Sequence, residues 1–160
     1  MKRLLCILTL LFSGLACFSH GAAVLRPNIV VVLADQWRAE AFGYAGNPDV
    51  RTPQIDRLQR ESLHCVNAVS GHPVCCPARA SLLTGQRPLT HGVFMNDVPL
   101  APDATSLAKV LRDSGYDTAY IGKWHLDGHG RSSFIPRERR QGFDYWKVME
   151  CTHDYTNSFY

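Results

Sequence analysis

The chain has 160 residues, 46% of them hydrophobic and 19% charged, which is about one domain's length with an ordinary globular balance. A chain of this size can bury roughly two-thirds of its unfolded surface, which excludes collagen-like, low-complexity and wholly disordered architectures. Lys+Arg 17 against Asp+Glu 14 leaves a formal charge of +3, and with no basic block or stripe in the body of the chain there is no footprint for nucleic acid.

The chain opens Met1-Lys2-Arg3, runs through an apolar stretch over about 4–18, and reaches small residues at Gly21-Ala22-Ala23. A positive start, a short apolar run and a small-residue exit describe a secretory signal peptide over 1–23, and so a secreted or periplasmic protein. The run is short for a bilayer, and no second apolar stretch of ~18 residues follows, so no transmembrane helix is expected. A buried first helix is the competing reading, but such a helix should carry a polar face. Leu15-Ala16-Cys17 is a weak match to a lipoprotein cleavage site, because Gly14 stands where a larger aliphatic is usual; a lipid anchor therefore ranks second. Removal of Lys2 and Arg3 lowers the charge from +3 to +1. Cys65, Cys75, Cys76 and Cys151 remain and could form two disulfides in any of three connectivities in an oxidising compartment. Adjacent Cys75 and Cys76 are an awkward start for such a framework.

Pro27-Asn28-Ile29-Val30-Val31-Val32-Leu33-Ala34-Asp35 is a continuous apolar run ending in an acid, the pattern of a parallel strand buried on both faces. Thr52-Pro53 reads as an N-cap followed by proline at the first helical position, with Ile55, Leu58 and Leu63 facing inward. A second helix is predicted over 77–84, closed by Gly85. A third is predicted over 105–114, with Leu107, Val110 and Leu111 on one face and Gly115 just past its end. Residues 116–122 alternate and are aromatic-rich, as a strand should be. Beyond Arg131 the pattern loosens, and Ser132-Ser133 and Arg137-Glu138-Arg139-Arg140 read as a solvated loop. Strand, helices and strand in this order predict an α/β fold with a mostly parallel central sheet flanked by helices. Only the opening of such a sheet is present, and Asn157-Ser158-Phe159-Tyr160 carry no stop signal, so the pattern reads as cut short.

Open α/β sheets hold their ligands at the carboxyl ends of their strands. Asp35-Gln36 falls at the end of the first predicted strand and Lys123-Trp124-His125 at the end of the second. An acid beside a side-chain amide offers hard oxygen ligands suited to calcium or magnesium; the plain alternative for Asp35 is a helix-capping or loop acid. Lys123 and His125 taken alone are weaker signals, since a Lys and a His near a strand end are more often solvated. Between them lies Cys75-Cys76-Pro77-Ala78-Arg79. Cys75 falls at or just before a helix N-terminus, whose positive end favours an anion, and Arg79 follows one turn later. A nucleophile, a helix N-terminus and a guanidinium make a plausible site for a tetrahedral oxyanion. Zinc held by His72, Cys75 and Cys76 competes, but lacks the second paired ligand set of a structural zinc site. His91 and Asn96 are candidate pocket residues with a structural role as the default; His129 and His153 are left unassigned.

The stretch resembles the sulfatase signature C-x-P-x-R followed by a short run and T-G, read here as Cys75, Pro77, Arg79, Thr84 and Gly85. The flanking motifs keep that family's order: Ala34-Asp35-Gln36, Thr52-Pro53-Gln54-Ile55-Asp56-Arg57-Leu58, His91-Gly92-Val93, Gly115-Tyr116, Gly122-Lys123-Trp124-His125 and Gly142-Phe143-Asp144. The resemblance extends over nearly all of 27–160 and implies the alkaline-phosphatase-like sulfatase fold, with 24–160 as the N-terminal part of a catalytic domain. It implies a sulfuric ester hydrolase of arylsulfatase type, acting on a sulfate-ester small molecule or a sulfated glycan. Cys75 would be converted to formylglycine by a maturase such as the formylglycine-generating enzyme, and its diol would form a covalent sulfo-enzyme intermediate. Conversion would leave an odd number of cysteines. Asp35, Gln36 and the Cys75-derived side chain would ligate a divalent cation, calcium before magnesium, although many relatives have a second Asp where Gln36 stands. Arg79 would hold the diol, Lys123 would bridge the diol and a sulfate oxygen, and His125 would take a proton during sulfate release. Sulfatases are several times longer, and their remaining metal ligands and leaving-group acid lie downstream, so the 160-residue chain alone is expected to be inactive and poorly folded. A phosphonate or phosphate ester hydrolase with the same nucleophile is the nearest rival. A non-catalytic exported protein whose Cys75 stays a thiol is the alternative of a different class.

Overall fold

A computed structural model describes residues 26–154 and 156; the segment 1–23, read from sequence as a signal peptide, falls outside the described residues. The chain divides into two compact units, Met1–Leu63 and His64–Tyr160.

In the first unit the run over 27–35 is not the buried strand its composition predicts. It makes no strand pairing, and Val30 and Val32 are 82% and 91% exposed. β-branched residues favour an extended backbone, but a strand exists only when a neighbouring strand takes up its hydrogen bonds. Helix α1 (Pro53–Glu61) forms where Thr52-Pro53 predicted, with proline in its first turn. Thr52 does not cap it through its side chain. Its hydroxyl instead accepts from Gly43 N–H (2.8 Å) and donates to Asp56 Oδ1 (2.7 Å), while Tyr44 N–H donates to the same Oδ1 (3.0 Å). This network fastens a 3-10 turn (Gly43–Ala45) to α1; a Cβ at Gly43 would sit 2.8 Å from Asp56 Oδ2, so a larger residue there would require that carboxylate to shift. The expected inward face of α1 is largely uncovered: Ile55 is half-buried, but Leu58 and Leu63 are exposed. Among the described elements of this unit, the short turn packs against α1.

The second unit carries helix α2 (Cys75–Thr84), α3 (Pro88–His91) and α4 (Leu107–Asp113), with strands β1 (Ala119–Lys123) and β2 (Tyr145–Met149). Helix α2 starts two residues before the predicted Pro77, which makes Cys75 its first residue, and ends as expected at Gly85 in the left-handed region. Its buried residues Cys76, Arg79, Ala80 and Leu83 recur at helical spacing, so one face is sealed into the core. Helix α4 is capped by Ser106, whose hydroxyl accepts from Lys109 N–H at 3.2 Å. The face predicted to turn inward does not: Leu107 and Val110 are exposed and Leu111 half-buried, whereas Ser106 and Ala108 are buried. Ser106 faces inward because its hydroxyl also donates to the Gln141 carbonyl, and that contact sets the rotation of the helix.

β1 and β2 pair in parallel, with Ala119 opposite Tyr145 and Lys123 opposite Met149. A parallel pair needs a long crossover, and here the 124–144 connection also builds the core. Its first residues, Trp124 to Asp127, are all buried. Trp124 packs edge-on against Tyr120 and Trp146 (ring centroids 5.0 Å in each case), and Phe143 joins the cluster 5.1 Å from Tyr120. Within the predicted solvated loop, Arg139 and Arg140 are half-buried. Arg139 makes a bidentate pair with the buried Asp127 carboxylate (2.6 and 3.1 Å), and Arg140 lies over the Trp146 ring. Cys76, Ala80, Leu83, Val93, Leu100, Trp124, Leu126 and Ile135 form one core joining α2 to the end of β1. Among the described residues no helix is long and apolar enough to cross a membrane.

Candidate functional site

In the second unit the carboxyl end of β1 and the N-terminus of α2 meet, bringing together residues 48 positions apart. Lys123 Nζ lies 3.5 Å from Cys75 Sγ. Cys75 is half-buried at the first turn of α2, where the helix's unpaired N–H groups give a positive field. Arg79, one turn on, is 8% exposed; its Nη1 donates to the Lys123 carbonyl (2.7 Å) and to the Tyr120 hydroxyl (3.2 Å). Tyr120 OH itself donates to the Lys123 carbonyl at 2.7 Å. The strand end is thus tied to the helix through the backbone of the residue whose ammonium approaches Cys75. Two donors on one carbonyl, the buried Arg79 guanidinium and the half-buried Tyr120 hydroxyl, hold that end in place.

The loop after α3 closes the site from the other side. Asn96 Oδ1 accepts from Cys76 N–H (3.0 Å), satisfying one of the open N–H groups of α2. Asp97 N–H donates to Cys76 Sγ (3.3 Å). Burial drives the Cys76 thiol up to about 11, so it stays protonated and serves as a packing residue. His125 is 2% exposed, and its Nε2 lies 3.0 Å from Asp97 Oδ1. Burial lowers the His125 pKa, so its resting form is the neutral imidazole. Arg131 reaches the same carboxylate, with Nε 3.2 Å from Oδ1 and Nη2 2.8 Å from Oδ2. The Arg131 hydrogen bonds first, and that of His125 second, hold the Asp97 carboxyl down at about 2.

Cys75, Arg79, Lys123 and His125, four residues singled out from sequence, therefore share one locus. Asp35 and Gln36 sit at a turn in the first unit, both exposed, with Gln36 at φ +49. Among the described residues no group of three or more His, Cys, Asp or Glu is placed to hold a metal ion, which removes the zinc reading of His72, Cys75 and Cys76. None of Cys65, Cys75, Cys76 and Cys151 is in a disulfide. His91 is structural: Nδ1 accepts from Val93 N–H (3.1 Å), so Nε2 carries the proton and donates to Ser81 Oγ (3.0 Å), joining α3 to α2. Sequence reasoning missed Asp97 and Arg131. Asn96-Asp97 follows the His91-Gly92-Val93 motif after Phe94-Met95 and could have been read as a capping turn; Arg131, 34 positions from Asp97, left no such local signal.

The family model described as Sulfatase matches residues 27–158. An ulvan-active sulfatase of Formosa agariphila is 56% identical over 135 residues, covering 84% of this chain and 26% of that protein. A sulfatase structure from work on glycosaminoglycan metabolism by Bacteroides thetaiotaomicron superposes with a TM-score of 0.69 at 32% identity, over 78% of this chain and 32% of that one. A phosphonate monoester hydrolase of Agrobacterium radiobacter gives 0.63 at 28% identity, over 77% of this chain and 26% of that one. The chain spans about a quarter of the length of the curated relatives it matches. The parallel strand pair with its helices is part of the α/β fold of those sulfatases.

Proposed function

The chain belongs to the sulfatase family, and on that premise we propose that the complete protein is a sulfuric ester hydrolase acting on a sulfated carbohydrate. The observation that carries this reading is the approach of Lys123 Nζ to Cys75 Sγ at the α2 N-terminus, with Arg79 bonded behind it. An ammonium, a guanidinium-braced strand end and a helix N-terminus around one half-buried side chain suit a tetrahedral anion. Preference for a carbohydrate draws on the ulvan-active and glycosaminoglycan-related relatives.

Formylglycine made from Cys75 by a maturase would supply the nucleophile, and a bound divalent cation would offset the charge of the sulfate group. Asp35 and Gln36 would hold that cation; carboxylate and amide oxygens suit calcium or magnesium rather than a soft metal, and calcium is the better match for a site drawing on several oxygen ligands. Lys123 binds a sulfate oxygen through Nζ and stabilises the charge that builds on it. Arg79 keeps the Lys123 backbone and the α2 N-terminus in register. His125, neutral at rest, accepts a proton. The signal-peptide reading of 1–23, made from its positive start, short apolar run and small-residue exit, and a secreted or periplasmic location belong to the same proposal.

The test is made on the complete protein secreted by its own host. The tryptic peptide covering 61–79 should carry an aldehyde at position 75, and the protein should hydrolyse an aryl sulfate faster than an aryl phosphonate, with activity lost on chelation and restored by calcium. A thiol at position 75 would sink the catalytic reading. Faster turnover of the phosphonate would move the assignment to the phosphonate hydrolases.

A further inference from the structure

Asp97 and His125 face each other at 3.0 Å, and both are non-glycine residues held in the left-handed region, at φ +63 and +56. Asp and His tolerate that region better than most residues, yet each is still strained there. Two strained backbones that converge on one hydrogen bond mark a contact the fold maintains at a cost. An ionised carboxylate can only accept, so His125 Nε2 must be the donor. The Asp97 carboxylate is itself fixed by Arg131 through both oxygens. The other ring nitrogen, Nδ1, is buried and has no hydrogen-bond partner among the described residues. A buried, unpaired nitrogen is costly in a finished core. It is the arrangement expected where that atom has a partner only during turnover.

We propose that Asp97 is the positioning residue for His125, locking it as the Nε2–H tautomer so that Nδ1 is the nitrogen that takes up a proton. The proposal rests on the sulfatase reading for its kinetic consequence and on geometry alone for the tautomer. When Nδ1 takes the proton, the ring becomes an imidazolium whose charge is offset by the Asp97 carboxylate at Nε2–H. When the proton leaves, the ring returns to the same tautomer. The charged groups bearing on His125 are Asp97, which favours its protonated form, and Lys123 and Arg131, which oppose it.

The experiment uses the complete protein and its Asp97→Asn variant. Histidine-selective 15N NMR of the wild type should give a protonated Nε2 and a bare Nδ1 for His125; the reverse tautomer would overturn the proposal, whether or not turnover is detected. Asp97→Asn keeps the volume but loses the charge. It should lower kcat about 100-fold with little change in KM, the scale of an acid–base contribution, and should move the acid limb of the kcat profile to lower pH, because the group that favours protonation is gone. An unchanged kcat and limb would refute the proposal. If the variant fails to fold, the wild-type spectrum decides. If the wild type turns over no sulfate ester, the sulfatase reading falls while the spectrum still tests the tautomer.

Discussion

Gly85 and Gly128 share the same φ of +67, but their surroundings differ. A Cβ on Gly85 would meet nothing within 4 Å. A Cβ on Gly128 would sit 2.6 Å from Pro99 Cδ, 2.7 Å from Pro99 N and 3.0 Å from the Asp97 carbonyl oxygen. Placing alanine in the left-handed region costs about 1 kcal/mol, and that is the whole expected effect of Gly85→Ala. Gly128→Ala adds an overpacking cost of about 1–3 kcal/mol, because ring and backbone atoms cannot swing aside as a flexible side-chain tip can. The loop cannot simply lift either, since Leu100 N–H is bonded to the Leu126 carbonyl at 2.9 Å. Urea unfolding of the complete protein, followed by tryptophan fluorescence, should show a midpoint loss two- to fourfold larger for Gly128→Ala than for Gly85→Ala. Gly128→Ala should also lower kcat, because the backbone it displaces carries Asp97. Equal midpoint losses would refute the reasoning that close approach, rather than φ alone, requires glycine at 128.

Three further outcomes are expected. Cys75→Ala should abolish measurable turnover of an aryl sulfate, a loss of about 10⁴-fold or more, while leaving the unfolding midpoint within experimental scatter; residual activity of a tenth would contradict the nucleophile assignment. Trp124→Ala removes a fully buried ring that packs against Tyr120 and Trp146, and should destabilise the protein by about 3–5 kcal/mol in the same urea assay. Burial raises the Glu150 pKa above its usual 4.5. The folded state therefore holds this proton more tightly than the unfolded one, and the group's contribution, fully present below its unfolded pKa, is lost as pH rises through the folded value. Glu150→Gln should gain stability relative to wild type as pH is raised from about 4 to 7, and a difference that does not change with pH would rule this out.

Much of the site was legible because its parts are local. Pro77 in a first turn and Gly85 at a helix end bracket α2 in the sequence itself, and the residue that opens the helix then falls within two positions of any reasonable boundary. The end of β1 was legible for a similar reason: the Tyr116-to-Gly122 alternation stops at Gly122-Lys123, which places Lys123 and His125 at a strand's carboxyl edge. What misled was burial. The run over 27–35 has the composition of a central strand, yet it lies exposed and forms no strand, because composition records a preference for extended backbone and not the presence of a neighbour. β2 and the half-buried Arg139 went unread because their partners, β1 and Asp127, are outside any local pattern; Arg140 lies near Trp146 in sequence, but only the fold sets its guanidinium over that ring.

The sequence by itself determined the family, the residue at the head of α2 and the basic groups at the end of β1, since each depends on residue types at short spacings that a helix or strand converts directly into position. Tertiary structure alone decided which face of α4 is buried, which nitrogen of His125 is committed to Asp97, and that Arg131 braces that carboxylate. Those outcomes depend on hydrogen bonds between residues 28 and 34 positions apart, and on the 35-residue span from Ser106 to Gln141. No local pattern encodes such contacts, because they exist only once the crossover after β1 has folded back over the core.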